Sequence, residues 1–306
     1  MQARILYSLL LFLAAARPTI GQSGDGLPAF KQAVACYQQA RYFDAEELFK
    51  QAYARNPENG QAAHGVAMCL VNTRRHQASL EWFEKAEAAP KAEAQYFNNH
   101  ASALEEIGRP EEAAKLFAEC LKRDARFVPA HFGLGRISAR LGRVEQARAS
   151  LEKARALDPK HVDAAYELAD LEFRAARLDV AEPIARRIIA VRPTHAAAKF
   201  LLARICLKTD RKNEGQQLLN EARRLQAEED AKALKRKAAG SFLELAAKSL
   251  RENKLPEGTG YLMKALEADP ESREARGGLA EVEARLRAAG RVAEADAVKA
   301  ALDKAR

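Results

Sequence analysis

The stretch LEKARALDPKHVDAAYELADLE, residues 151–172, decides the fold. Alanine-rich, helix-favouring text stops at Asp158-Pro159 and resumes at once. Proline pushes the residue before it out of the α region, so a helix ends at such a pair. A second break of the same form stands at Arg192-Pro193, 34 residues on. Upstream, Pro57 lies three such intervals before Pro159; downstream, Pro270 lies two intervals plus nine residues beyond Pro193. A 34-residue frame therefore runs along the chain with one insertion of about nine residues, placed in the charged run EEDAKALKRKAAG at 228–240.

Folding the sequence on that frame aligns columns of restricted size. One holds Ala33, Ala67, Ala101, Gly135, Ala169, Ala203 and Ala246. Twelve residues on come Ala45, Ser79, Ala113, Ala147, Ala181, Gly215 and Gly258, and four further Phe49, Phe83, Phe117, Leu151, Ala185, Leu219 and Leu262. Each 34-residue stretch has two apolar-periodic runs split by a turn such as RLGRVEQA or EIGRPEEA, which reads as a helical hairpin. Small residues sit where the two helices approach, and large ones fill the space toward the next hairpin. One hairpin cannot bury its apolar face alone, so several must stack. Composition agrees: the 306 residues are 48% apolar and only 7% aromatic. Runs of alternating β-branched residues, which would signal strands, are absent.

The run LGRISARLGRVEQARASLEKARALDP, residues 134–159, resembles the tetratricopeptide repeat: Leu-Gly early, alanine in mid-repeat, a large apolar residue, alanine, then proline. The resemblance implies an all-α fold, an α-solenoid of about seven to eight stacked helix–turn–helix repeats wound as a right-handed superhelix. Repeats are expected at 26–59, 60–93, 94–127, 128–161, 162–195, 196–229 and 239–272, with a degenerate eighth or capping pair at 273–306. The organisation is then repeats one to six within 22–229, a charged helical extension and candidate hinge at 230–238, and the remainder at 239–306. Ala125 and Ala227 stand where the frame asks for proline, and Pro183 falls inside a second helix, which it should bend.

The first 21 residues read differently. Arg4 precedes the 12-residue apolar run Ile5 to Ala16, which is followed by small and polar residues. That is the pattern of a secretory signal peptide, too short to span a bilayer comfortably. The expectation is an exported protein, periplasmic or secreted, touching a membrane only through an uncleaved signal segment. Export makes four cysteines look like two disulfides, but Cys36, Cys69, Cys120 and Cys206 all occupy interior columns. Cys36 and Cys69 are the one pair placed to be tested for a bridge.

No H-E-x-x-H, G-x-S-x-G or Walker-type loop occurs, and no cysteine–histidine cluster has metal spacing. Carboxylates are spread over helix surfaces within four residues of Lys or Arg, the pattern of solvated ion-pair faces. His161 and His195 are connector residues, and His100 belongs to a core column. The reading is a non-enzyme with no cofactor, no metal and no small-molecule substrate.

In tetratricopeptide repeats the first helices line a concave surface, and three repeat positions commonly face it. Here the first holds Phe30, His64, Asn98, Phe132, Tyr166, Phe200 and Leu243. The second holds Val34, Met68, Ser102, Arg136, Asp170, Arg204 and Ala247, and the third Gln38, Asn72, Glu106, Arg140, Arg174, Lys208 and Arg251. The third turns uniformly basic from repeat four. Residues 1–127 hold 15 basic and 15 acidic residues and residues 128–306 hold 35 and 27, so the net +8 lies entirely in the second part. Phe132, Arg136, Arg140, Tyr166, Asp170, Arg174, Phe200, Arg204, Lys208 and Arg251 are thus the candidate groove residues, suited to a protein or peptide with acidic and apolar side chains. The expected function is an interaction scaffold holding an extended or helical segment of a partner; a self-assembling module without a peptide ligand is the alternative. Dense acidic residues point away from nucleic acid.

Overall fold

The computed structural model describes residues 27–304 and, among them, fifteen α-helices and no strand. The expected signal peptide lies outside the described residues. The helices are α1 (Leu27–Gln38), α2 (Tyr42–Arg55), α3 (Gly60–Asn72), α4 (His76–Glu87), α5 (Ala94–Glu106), α6 (Pro110–Arg123), α7 (Val128–Arg140) and α8 (Val144–Leu157). They continue with α9 (Val162–Arg174), α10 (Leu178–Val191), α11 (Ala196–Lys208), α12 (Lys212–Arg251), α13 (Leu255–Ala268), α14 (Arg273–Ala288) and α15 (Val292–Lys304). The chain divides into two compact units between Ala92 and Glu93. In each, consecutive helices pack as antiparallel hairpins, and each hairpin packs on the next except where the long helix α12 joins the sixth to the seventh.

The hairpin turn repeats with little variation. Ala40, Arg74, Gly108, Gly142, Ala176 and Asp210 all have positive φ and stand 34 residues apart; Asn253 and Gly290 complete the series. Asp210 to Asn253 is 43 residues, one frame plus the nine-residue insertion. After each left-handed residue a basic one (Arg41, Arg75, Arg109, Arg143, Arg177, Arg211, Lys254, Arg291) donates its N–H five residues back, as in Arg143 to the Ser138 carbonyl at 2.8 Å. This is the Schellman closure, which satisfies carbonyls that the ending helix leaves open.

Helix stops between hairpins have two components. Asn56, Asp124, Asp158 and Asp269 accept a hydrogen bond from the backbone N–H two residues on, an Asx turn. Proline follows three of them. Either device suffices: Asp124 stops α6 although Ala125 replaces the proline, and Pro193 follows α10 although Arg192 replaces the aspartate. At Gln226-Ala227 both are missing, and α12 runs on for 40 residues. It comprises the second helix of repeat six, the charged extension and the first helix of repeat seven, without a break at the candidate hinge. Pro183 does not interrupt α10.

The first helix of a repeat begins on a side-chain cap in several cases. Asn59, His161, His195 and Ser272 each accept from the N–H three residues on, at 3.1 to 3.2 Å. The two histidines do so through Nδ1, and burial, followed by the charge of Arg192, lowers the pKa of His195. At His195 the hydrogen bond and the lowered pKa together favour the neutral acceptor form.

The columns of large residues are core: Phe49, Phe83, Phe117 and Leu151 are fully buried. Phe117 packs so closely on Gly133 of the following helix that a Cβ there would overlap its ring. All four cysteines are free thiols; burial pushes the Cys120 thiol up to about 12 and raises Cys69 and Cys206. Carboxylates are not all on solvated faces, which corrects the reading of the sequence. Glu46 is buried and bridged to Lys50 at 2.7 Å and to Arg75, and Glu172 is buried between Arg148 and Arg177. Arg211 repeats the Glu46–Arg75 link on Glu182. Burial raises the Glu46 carboxyl, but its two cationic partners outweigh that and hold it below the usual range.

His64, 1% exposed beside the Phe83 ring, sets a pH dependence for the first unit. Burial lowers its pKa from 6.5 to about 3. The folded state then binds fewer protons than the unfolded one, so stability is complete above pH 6.5 and falls as pH drops toward 3. The expected loss is about 2 kcal/mol between pH 7 and pH 5. Trp82, the single tryptophan, lies in α4 and reports this unit selectively. Urea unfolding followed by its fluorescence should lose that pH dependence in His64→Leu. An unchanged slope would place the proton elsewhere.

Candidate functional site

The second unit carries nine of the ten groove candidates on the first helices α7, α9 and α11; the tenth, Arg251, ends α12 and its side chain lies outside the described residues. The first of the three positions faces inward more than the sequence suggested. His64, Asn98 and Phe132 are buried, Tyr166 is half-buried, and only Phe200, at 45%, is open. Phe132 is therefore a core residue, a correction to its assignment as a groove residue. The reason is the next hairpin's connector. The His161 ring covers Phe132 with centroids 4.9 Å apart, and the His195 ring covers Tyr166 at 5.4 Å. The equivalent residue for Phe200 is Glu229, which sits in the uninterrupted α12, so no connector returns to cover it.

The basic residues are answered by a column that was not read from the sequence: Tyr37, Val71, Glu105, Ala139, Phe173 and Leu207. Glu105, Ala139 and Phe173 lie opposite the residues 31 and 35 positions on, and Tyr37 opposite the residue 35 positions on. Tyr37 accepts from Asn72 Nδ2 at 2.9 Å. Glu105 pairs with Arg136 and, at 3.2 Å, with Arg140. The Phe173 ring lies under the Arg204 guanidinium at 4.3 Å and the Lys208 ammonium at 5.2 Å. The signal is an offset of one repeat minus three and one repeat plus one, so the two partners occupy different columns of the frame and no single column shows the pairing.

These pairings change the electrostatics. Arg136 and Arg140 share Glu105, and Arg174 holds Asp170 at 2.6 Å. That part of the wall is balanced in charge rather than uniformly basic. Arg204 and Lys208 have no carboxylate at ion-pair distance among the described residues and rest on an aromatic face instead, with Phe200 open on the same helix. Burial, then the charges of Asp170 and Glu167, raise the Tyr166 phenol, which stays neutral at physiological pH.

At Ala139 the column is a methyl group. Where Glu105 and Phe173 fill the space toward the next repeat, Ala139 leaves a cleft of about 240 Å³ between α7 and α9. Its walls are Arg136, Arg140, Glu167, Asp170 and Arg174, with Ala139 and Leu171 as the apolar floor. Polar groups converging on a small apolar floor can hold a peptide segment by hydrogen bonds and seat one side chain.

A family profile described as tetratricopeptide repeat matches residues 21–93, 98–162 and 139–190, and another of the same description matches 172–238. No curated protein matches the sequence. Among solved structures, pilF of Pseudomonas aeruginosa aligns with a TM-score of 0.57 at 19% identity, over 66% of this chain and 97% of that one. The C-terminal part of a TPR repeat-containing protein from Cytophaga hutchinsonii aligns with a TM-score of 0.56 at 16% identity, over 82% and 99%. YrrB, described as a TPR protein with an unusual peptide-binding site, aligns with a TM-score of 0.51 at 20% identity, over 57% and 90%. At these identities the likeness shows the fold alone.

Proposed function

This chain belongs to the tetratricopeptide repeat family, and from that premise we propose that it is an exported scaffold gripping an extended or helical segment of another protein along α7, α9 and α11. The cleft at Ala139 carries this reading, because the methyl group there leaves open the space that Glu105 and Phe173 fill at the equivalent positions. A peptide seated there meets paired arginines and carboxylates, which suit backbone amides and polar side chains. Further along, Arg204 and Lys208 receive its carboxylates and Phe200 an apolar side chain. The peptide-binding site named for YrrB supports the same use of the fold. The basic, apolar and small-residue pattern of the first 21 residues supports export.

Ala139→Phe tests the cleft. A phenyl ring at 139 would reproduce the arrangement of Phe173, stacking on Arg174 as Phe173 does on Lys208. Folding should change by less than about 1 kcal/mol, since the site is already open on one side. Peptides selected on the wild-type chain from a displayed library should lose at least about tenfold in affinity, read by fluorescence anisotropy. Equal binding by the two proteins would remove the cleft as the site.

A further inference from the structure

The middle of α12 is exposed at every position from 226 to 238, about 20 Å of helix with no packing partner in the chain. Its two ends are held, the first against α11 and the last against α13. Leu234 is 70% exposed at its centre. A helix that is solvated all round normally carries opposite charges three or four residues apart. In this one Lys232, four and three residues after Glu228 and Glu229, is the one base of its block so spaced. Glu228, Glu229 and Asp230 come first, and Lys232, Lys235, Arg236 and Lys237 follow in a block. Arg236 reaches Glu229 at 3.3 Å, Arg224 lies 3.7 Å from Glu228, and Gln226 donates to Asp230 at 2.8 Å. Lys232, Lys235 and Lys237 have no carboxylate at ion-pair distance among the described residues. Lys232 lies three and four residues before Lys235 and Arg236, a like-charge spacing that an isolated helix disfavours.

The order of residues makes sense against a second copy. Ala227, Ala231, Leu234 and Ala238 follow a four–three–four spacing, the seam of a two-helix coil, and all are exposed. Placed antiparallel about a two-fold axis between Lys232 and Ala233, each Leu234 meets Ala231 of the other copy, and Ala227 meets Ala238. The residues flanking the seam are then Glu228 with Lys235 on one side and Asp230 with Lys237 on the other, each pair occurring twice by symmetry. Glu229 and Arg236 fall on the outer face, where their own intrahelical contact already lies. We propose that this bridge is a self-association surface, and that two copies of the chain pair antiparallel through residues 227–238 of α12. The contact is small and charge-rich, so association is weak and sensitive to salt. It leaves the cleft at Ala139 untouched and stands whether or not that cleft binds a peptide.

Sedimentation equilibrium of the full chain at low salt is the test, with circular dichroism to confirm that each variant keeps its helix. Wild type should show a monomer–dimer equilibrium in the micromolar-to-millimolar range. The acid-reversed variant Glu228→Lys/Asp230→Lys and the base-reversed variant Lys235→Glu/Lys237→Glu should each weaken the dimer at least about tenfold. Mixing the two should form a heterodimer, and combining all four changes in one chain should restore self-association at unchanged net charge. A wild type that stays monomeric, a swapped variant that dimerises as wild type does, or a fourfold variant that stays monomeric would each overturn the proposal. So would a monomer that instead binds vesicles of anionic phospholipid through the basic block.

Discussion

Truncating Phe117 to alanine is expected to destabilise the second unit by about 4 kcal/mol, the largest effect of any single change considered. The ring is 1% exposed and seated against the backbone of Gly133, so its removal opens a cavity between two hairpins that neither can close without moving a helix. Gly133→Ala attacks the same contact from the other side and should cost 1–3 kcal/mol, because the added methyl has nowhere to go while the ring is present. The two changes share one space, so they should not add: in Gly133→Ala/Phe117→Leu the smaller side chain gives the methyl room, and the double variant should be more stable than the sum of the singles predicts. Guanidinium unfolding followed by circular dichroism gives the free energies. Additivity within about 0.5 kcal/mol would mean that the glycine is not held by the ring.

Glu172→Ala should cost about 3 kcal/mol, the second-largest effect. The carboxylate is 1% exposed; it accepts from Arg148 Nε at 2.7 Å and is bridged to Arg177. It therefore joins the second helix of repeat four to the hairpin of repeat five. Removing it strands the Arg148 guanidinium, whose side chain is itself only 14% exposed, with Glu145 as its remaining partner. Breaking a buried pair from one side is far more damaging than replacing both partners with apolar groups. Glu172→Leu should thus be almost as harmful as Glu172→Ala, while Glu172→Leu combined with Arg148→Leu should recover much of the loss. Solenoids open locally, so hydrogen exchange across α8 to α10 is the sensitive measurement. Exchange rates unchanged in that segment would show that the pair contributes nothing to holding the hairpins together.

These two sites differ in how far they could be read in advance. The Phe117 column was visible because a repeat writes its packing rule several times, and averaging over repeats removes local noise. Glu172 stands alone in a core column, and a carboxylate near basic residues reads as surface in any linear inspection. Its burial follows from Arg148 and Arg177 reaching it from two hairpins at once. The same limit explains the candidate site. The basic residues Arg140, Arg174 and Lys208 form one column of the sequence, but their surroundings depend on Glu105 and Phe173, which act across repeat boundaries, and on Asp170 within the helix of Arg174.

What the sequence by itself determined is the 34-residue frame, the all-helical hairpin and the interior columns, because each is a local rule of helix stop, turn and side-chain size repeated along the chain. Even the length of α12 is latent in it, since Gln226-Ala227 lacks both the Asx turn and the proline. Only the tertiary structure decided which charges are buried, that Phe132 is covered and Phe200 is not, and that Ala139 leaves a cleft. Those outcomes turn on what the next hairpin places opposite a residue, and opposition in space is set by packing between repeats rather than by any one segment.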